Sequence, residues 1–468
     1  MNRDFVASSN DALALLAPLL AEAGGARRLV SVTVPIEVRD PSAAVFASRL
    51  AGDRWFCWEQ PDRDGFAIAS LGSAHEVVSR GPGRFRDTVE SCERVVRDRL
   101  AAEPPGLPAG AGPAWVGGFA FAANGGAEPQ WSSFPPALLV MPELILHRAG
   151  GRTHLTLCAI AGAGAEPQAV AARLGARLAA LNEPPLPLAD PHPTSEARIA
   201  SVLPPERFEH AVAQGVERIR AGGLEKVVLA REVVVEAPRA HDPAALYGAL
   251  RELFPSCFCF CCGSPEAAFL AASPELLVRR AGAGAATVAL AGSTRRSADP
   301  SVDDHLGEQL LRSTKDRAEH QIVVRRIERA LGPHSVWVEA APEPGLVKVA
   351  NIQHLATPIH AQLSEPRSAV ELAAILHPTP AVGGEPRDRA LVAIEQLEGL
   401  DRGWYAGPVG WMDAAEDGEF CVAIRSALLR DRTAHLFAGN GIVADSEPEA
   451  ELAETEVKLG ALLPALAG

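Results

Sequence analysis

Two patterns of apolar residues alternate along this chain. In one they run on without interruption, as in strands buried on both faces; in the other they recur every three or four positions, as in helices with one buried stripe. "GGLEKVVLAREVVVE", residues 222–236, is of the first kind, its body made of Val227, Val228, Leu229, Val233, Val234 and Val235. Yet a lysine, Lys226, stands where that strand begins, although the hydration of its ammonium makes lysine one of the residues least often buried. The preceding "PPERFEHAVAQGVERIRAGG" has apolar residues at helical spacing and stops in glycines, so Lys226 follows a helix-to-strand turn. "ALALLAPLL", residues 12–20, reads as a helix capped by Ser9, Asn10 and Asp11 rather than as a secretion signal, because Arg3 is its only preceding side-chain cation and Asp4 offsets it.

Up to about residue 180, strand-like runs mix with glycine- and proline-rich turns; "GPAWVGGFAF" and "ALLVMPELILH" are the strongest strand candidates. Residues 181–198, "LNEPPLPLADPHPTSEAR", hold five prolines and read as a linker or long surface connection. This divides the chain into residues 1–195 and 196–468. Beyond it, helices and strands alternate without a βαβ rhythm. The expected class is α+β, with large sheets packed together and helices on the outside. "AGAGAA" after Arg280 reads as a flexible turn, and no phosphate-binding loop, HExxH or GxSxG is present.

Composition narrows the chemistry. The 468 residues are 47% hydrophobic and 22% charged, ordinary for a globular protein. A net charge of −14 speaks against nucleic acid or an anionic membrane as partner. No stretch approaches the roughly 20 apolar residues of a membrane span, and a cytoplasmic location is expected. Half of the eight cysteines crowd into "CFCFCC" at 257–262, where they alternate with phenylalanine at the period of a strand. Without the Cys-x-x-Cys spacing and a second ligand pair they read as small apolar residues, not a metal site.

Two stretches carry carboxylates at helical spacing. "GEQLLRSTKDRAEHQIVVRRIERALG", residues 307–332, reads as one long amphipathic helix with Asp316 and Glu319 on one face. "SEPEAELAETEVKLGALL", residues 446–463, reads as a serine-capped helix on which Glu451, Glu454 and Lys458 stack. Such pairs could hold a hard divalent cation, and magnesium suits one or two carboxylates plus a substrate group. By themselves they are better explained as solvated helix faces.

Nine segments change that balance: "KVVLAR" at 226, "ASPELLVR" at 272, "LAGSTRR" at 290, "KDRAEH" at 315, "HLATPI" at 354, "LHPTPAVGGEPR" at 376, "WYAGPVGW" at 404, "VAIRSALL" at 422 and "AGNGIVADSEPEAELAETEVKL" at 438. In this order they resemble the chorismate-utilising enzymes, most closely the isochorismate synthases, which share a fold with anthranilate synthase component I. The resemblance lies in the C-terminal part; the N-terminal 195 residues carry little of it and are expected to complete the same fold.

The resemblance implies roles. Lys226 would be the general base that activates water, and Glu275 the general acid across the substrate ring. Glu319 and Glu454 match magnesium ligands, and Asp316 and Glu451 match positions that hold the metal's waters. Arg425 and Lys458 match carboxylate contacts, while Gly439 and Gly441 match a glycine turn that approaches the substrate. Gly292, His354, Ala381 and Tyr405 match further pocket positions, although a core histidine is an alternative reading of His354. Asn440 departs from the pattern, which implies a smaller residue such as alanine there.

Relatives that use ammonia usually carry another residue at the place of Lys226 and a threonine-containing motif where this chain reads "PAVGG". Salicylate synthases share the lysine but resemble a threonine type at Ala381, which makes them the alternative. A chorismate-binding protein without activity should have lost some of the acid, base or metal positions, and all are present. The resemblance therefore implies chorismate as substrate, magnesium as cofactor, no glutaminase subunit and a monomer.

Overall fold

The computed structural model describes residues 3–162, 164, 166–188, 197–349 and 352–467. Among them, thirteen strands join into one sheet and ten into a second. One core lies between the sheets, where Trp58, Phe260 and Phe269 of the larger sheet face the side of Phe119, Trp411 and Phe420 of the smaller. A second core lies between the other face of the larger sheet and helices that contribute Leu16, Val45, Leu174 and Tyr247. This is the expected α+β arrangement of packed sheets with outer helices.

"CFCFCC" shows why such strands are apolar without a break. Phe258–Gly263 is buried along its whole length. Phe258, Phe260 and Cys262 point into the core between the sheets, and Cys257, Cys259 and Cys261 into the helix-covered core. The alternation is between two kinds of interior. All eight cysteines are buried and free.

The N-terminal strands continue the sheets of the C-terminal part. Trp55–Glu59 pairs antiparallel with Cys259–Gly263, and Ala114–Gly118 with Val409–Asp413. "ALLVMPELILH" becomes two strands, Ala137–Met141 in the smaller sheet and Leu144–Ala149 in the larger. Pro142 lies at the crossing, where it cannot donate to either ladder. Of the proline-rich connection, Leu181 to Leu188 has no regular structure, and residues 189–196 lie outside the described residues. The "AGAGAA" segment is the tight turn, with Gly282 at φ +57, of a hairpin joining Leu276–Ala281 to Gly284–Arg295.

Three helix boundaries differ from expectation. The first helix starts at Arg3, so Asn10 and Asp11 are exposed interior positions and not its cap. Polar residues on a solvent face do not stop a helix. The stretch from 307 is two helices, Pro300–Arg312 and Thr314–Leu331, broken at Ser313. There ψ turns to 118°, and the serine hydroxyl accepts the Asp316 amide at 3.2 Å. A side-chain acceptor at a helix start outweighs one further helical turn. The last long helix is Pro448–Leu459, with Glu447 as its N-cap residue. Ser446 instead accepts the Val443 amide at 3.1 Å, which closes the turn leading into that helix.

Gly403 joins the two parts of the chain tightly. Its φ is +49°, and a Cβ there would lie 2.1 Å from the ring of Trp131. Gly403→Ala should therefore cost about 2–3 kcal/mol through overpacking and backbone strain. Urea unfolding should show a lower midpoint at an unchanged m-value, and an unaltered midpoint would refute the packing argument.

Candidate active site

The cleft forms where the chain crosses between the sheets. Strand Lys226–Glu236 and strand Thr433–Ile442 are antiparallel neighbours in the larger sheet, so Val228 stands opposite Gly441. From the smaller sheet come Gly292 and Ser293, at an irregularity in strand Gly284–Arg295, and His354 on the adjoining strand. Glu275 and Arg425 sit on the links that carry the chain from one sheet to the other. Helices Thr314–Leu331 and Pro448–Leu459 close the cleft with their acidic faces. All fourteen residues singled out in the sequence line it.

Lys226 is not a solvated strand end. It is 1% exposed, and its Nζ lies 2.8 Å from Glu319 Oε1. The larger sheet buries the stem, and the carboxylate supplies the counter-charge that a buried ammonium requires. Glu275 is 3% exposed and takes the opposite course. Burial outweighs the influence of Lys226, the Thr379 hydroxyl and Arg425, and pushes its carboxyl up to about 8. At neutral pH it is a neutral acid with a proton to give.

The four helix carboxylates share the cleft but differ in state. Burial alone would raise Glu454, but the Lys458 ammonium at 2.9 Å and the Ser293 hydroxyl at 2.8 Å outweigh it and hold the carboxyl at about 2. Burial raises the Asp316 and Glu451 carboxyls, and repulsion from Glu454 adds to it. Among the described residues, no three His, Cys, Asp or Glu side chains converge closely enough to hold a metal on their own. Hard oxygen donors that face one cleft, two of them already balanced by lysines, fit a cation that takes few protein ligands and completes its shell with water and substrate.

Lys458 has its three donors occupied by Gly439 O, Asn440 Oδ1 and Glu454, at 2.9, 2.6 and 2.9 Å. It would have to release one to touch a substrate. Asn440, the departure from the family pattern, is 1% exposed and bridges two of the lining residues. Its amide nitrogen donates to Glu451 O at 2.6 Å and Glu451 Oε2 at 3.0 Å, while its oxygen accepts from Lys458.

Arg425 offers what Lys458 does not. Its φ is +53°, a conformation that side chains rarely adopt and that turns it into the cleft. Its Nε is buried without a partner, and Nη2 donates to His354 Nε2 at 3.4 Å. Burial, with Arg425 and Lys458 nearby, drives His354 down to about 3, so it stays neutral and can accept. Tyr405 stacks on Phe437 with ring centroids 5.1 Å apart; burial raises its phenol to about 12 and keeps the hydroxyl protonated. A Cβ at Gly441 would come within 2.5 Å of both Lys226 Cε and Glu319 Oε1. Glycine is needed there to admit that ion pair. At Gly439 a Cβ would meet Leu229 O at 2.9 Å and the tyrosine hydroxyl at 3.1 Å.

A model of the family described as "Chorismate binding enzyme" matches residues 15–467. The chain belongs to the chorismate-binding enzymes. The match includes most of the N-terminal part, where the quoted motifs are sparse. The salicylate biosynthesis isochorismate synthase of Pseudomonas aeruginosa is 38% identical over 441 residues, 94% of this chain and 90% of that protein. The isochorismate synthase MenF of Bacillus subtilis is 34% identical over 450 residues, 94% of each. Among solved structures, the menaquinone-specific isochorismate synthase MenF of Escherichia coli superposes with a TM-score of 0.80 at 27% identity, covering 98% of this chain and all of that one. Anthranilate synthase component I of Streptococcus pneumoniae shares the fold, with a TM-score of 0.67 at 22% identity over 85% of this chain and 92% of that one.

In this chorismate-binding enzyme three supporting residues escaped the reading of the sequence. Thr379 donates to Glu275 Oε1 at 3.4 Å, and Ser293 holds Glu454. Buried Arg402 donates to Val228 O at 3.0 Å and Val382 O at 2.8 Å, tying two walls of the cleft together, with Glu398 as counter-ion. Thr379 and Ser293 lie inside quoted motifs; nothing in composition or spacing distinguishes Arg402. The bridge through Asn440 has a measurable worth. Asn440→Ala leaves Lys458 and Glu451 each short of a buried partner, and should lower unfolding stability by about 2 kcal/mol. A change below about 0.5 kcal/mol in denaturant titration would show that the bridge contributes little.

Proposed function

We propose that this enzyme is an isochorismate synthase, which moves the hydroxyl function of chorismate from ring carbon 4 to ring carbon 2. The observation that carries the reading is a buried lysine and a carboxylic acid held near 8 in one cleft with an arginine whose Nε is unpartnered. Water adds at carbon 2 and Lys226, as the free amine, takes its proton. Glu275 gives its proton to the carbon 4 hydroxyl, which leaves as water while the ring double bonds shift between the two positions. Each partner is needed, since water is a weak nucleophile and hydroxide a poor leaving group. Lys226 must exchange its contact with Glu319 before it can serve as the base. Arg425, steadied by His354, has the planar geometry to grip a substrate carboxylate.

Magnesium bound through Glu319 and Glu454, with Asp316 and Glu451 holding its waters, would supply positive charge opposite a substrate carboxylate. This reading places the enzyme in the cytoplasm as a monomer without a glutaminase subunit, in menaquinone or siderophore biosynthesis. The names of its relatives support those two routes. The second reading, a salicylate synthase that goes on to eliminate pyruvate, is disfavoured by Ala381, whose methyl leaves open space in the cleft where a hydroxylated side chain is expected for that activity.

Incubation with chorismate and magnesium, followed by chromatographic separation, tests the reaction. Isochorismate should accumulate with little pyruvate, excess EDTA should abolish turnover, and Glu319→Ala or Glu454→Ala should lower kcat/KM by about 100-fold in a folded protein. Pyruvate keeping pace with chorismate loss would make salicylate synthase the better reading, and full activity in EDTA would remove the metal.

The pH profile tests the acid. A carboxyl raised to about 8 is protonated below that pH and loses its proton above it. The proton donor is therefore present at neutral pH and lost as pH rises. kcat/KM should fall tenfold per pH unit on an alkaline limb beginning near 8. A profile flat to pH 9.5 would exclude Glu275 as the donor.

A further inference from the structure

A second cleft, with a volume of about 790 Å³, lies on the far side of Arg402 from the first. It runs from the start of helix Arg84–Val96 along helix Arg387–Glu398, from Arg387 to Glu398, and neither helix has a side-chain cap. Each helix start brings the positive end of its dipole to the cleft, although the Arg84 amide is taken by Gly81 O at 3.1 Å and Asp87 and Asp388 lie in the first turns.

The side chains there strengthen the same charge. Arg84 is 5% exposed, and its Nη2 donates to Ala120 O at 3.0 Å, but its Nε is buried without a partner. The charged group that bears most on it is another cation, Arg387. Burial first, and that repulsion second, lower Arg84 to about 10. Arg387 in turn is opposed by Arg326 and is near Asp388, its own chain neighbour. Of the carboxylates that line the cleft, buried Glu398 pairs with Arg402 and half-buried Asp401 accepts the amides of Gly126, Ala127 and Glu128, while Glu128 and Glu395 are exposed. Arg84 is thus a buried cation with no carboxylate partner among the described residues, which is costly unless an anion joins it.

His377 adds a second recognition element. Its Nε2 donates to Phe121 O at 2.9 Å, which leaves Nδ1 as a lone-pair acceptor, and that atom is buried without a partner. Burial lowers this histidine to about 3, so Nδ1 stays free of a proton. An occupant is thus offered an anion site and, beside it, an acceptor for a hydroxyl.

We propose that this cleft binds a small hydroxylated oxyanion, a carboxylate or phosphate whose charge is held by Arg84, Arg387 and the two helix starts and whose hydroxyl donates to His377 Nδ1. The site is separate from the catalytic cleft and does not depend on the reaction proposed for it.

Calorimetric titration of the full chain at low ionic strength tests this, with L-malate, succinate and inorganic phosphate as probes. Malate should bind saturably with a dissociation constant below about 1 mM, and succinate, which lacks only the hydroxyl, about tenfold more weakly. Phosphate should compete with malate. Because Arg84 is buried and its replacement could unfold the protein, the variant is the half-buried Arg387→Gln, which should weaken malate at least tenfold while Arg425→Gln does not. Absence of saturable binding by malate and phosphate overturns the site. So does the reverse pattern, in which Arg425→Gln abolishes binding and Arg387→Gln leaves it intact, because the anion then sits in the catalytic cleft. Equal affinity for malate and succinate overturns the hydroxyl contact.

Discussion

A lysine ammonium that is 1% exposed requires a counter-charge, and the site is organised around the one it has. Glu319 reaches Lys226 from the helix capped by Ser313, so the break in that helix determines where the carboxylate enters the cleft. Gly441 must lack a side chain because the pair occupies the volume a Cβ would take. Strand register then places Gly439 and Asn440 beside Tyr405 and Lys458. Much of the cleft is geometry that accommodates one buried ion pair.

Charges inside the cleft are kept apart by assignment of partners. Glu454 is held ionised by Lys458 and Ser293, while Glu275, with only a weak hydroxyl contact and more distant cations, is left protonated by burial. Two carboxylates of the same ordinary strength are thereby separated from about 2 to about 8 within one pocket. Such separation of like groups is what acid–base chemistry at neutral pH needs. In the second cleft the buried Arg84 has no carboxylate partner among the described residues, which is the ground for proposing an external anion there.

The chain as a whole is the structural unit of the site. Strands from the first 195 residues extend both sheets, and Trp131 packs against Gly403 immediately after Arg402 and two residues before Tyr405. Sequence motifs are sparse in that part because its work is packing, which many apolar sequences can perform. The family match from residue 15 onward agrees with that division of labour.

Residue order by itself was enough for the strand behind Lys226 and for the burial of "CFCFCC" in outline, while the fourteen candidate site residues came from the ordered motifs that carry the family resemblance. It also supported the class of large packed sheets, since unbroken apolar runs require an interior on both faces. The break at Ser313 and the turn at Ser446 depend on which amide a single side-chain oxygen finds in three dimensions, and the helix start at Arg3 on polar residues that face solvent without stopping the helix. Only the tertiary structure decided that Lys226 pairs with Glu319, that Asn440 joins Glu451 to Lys458, and that Arg84 is left beside Arg387. Those partners are 93, 11, 18 and 303 positions apart in the chain. Burial and counter-charge are properties of the assembled cleft, and no local pattern of residues encodes them.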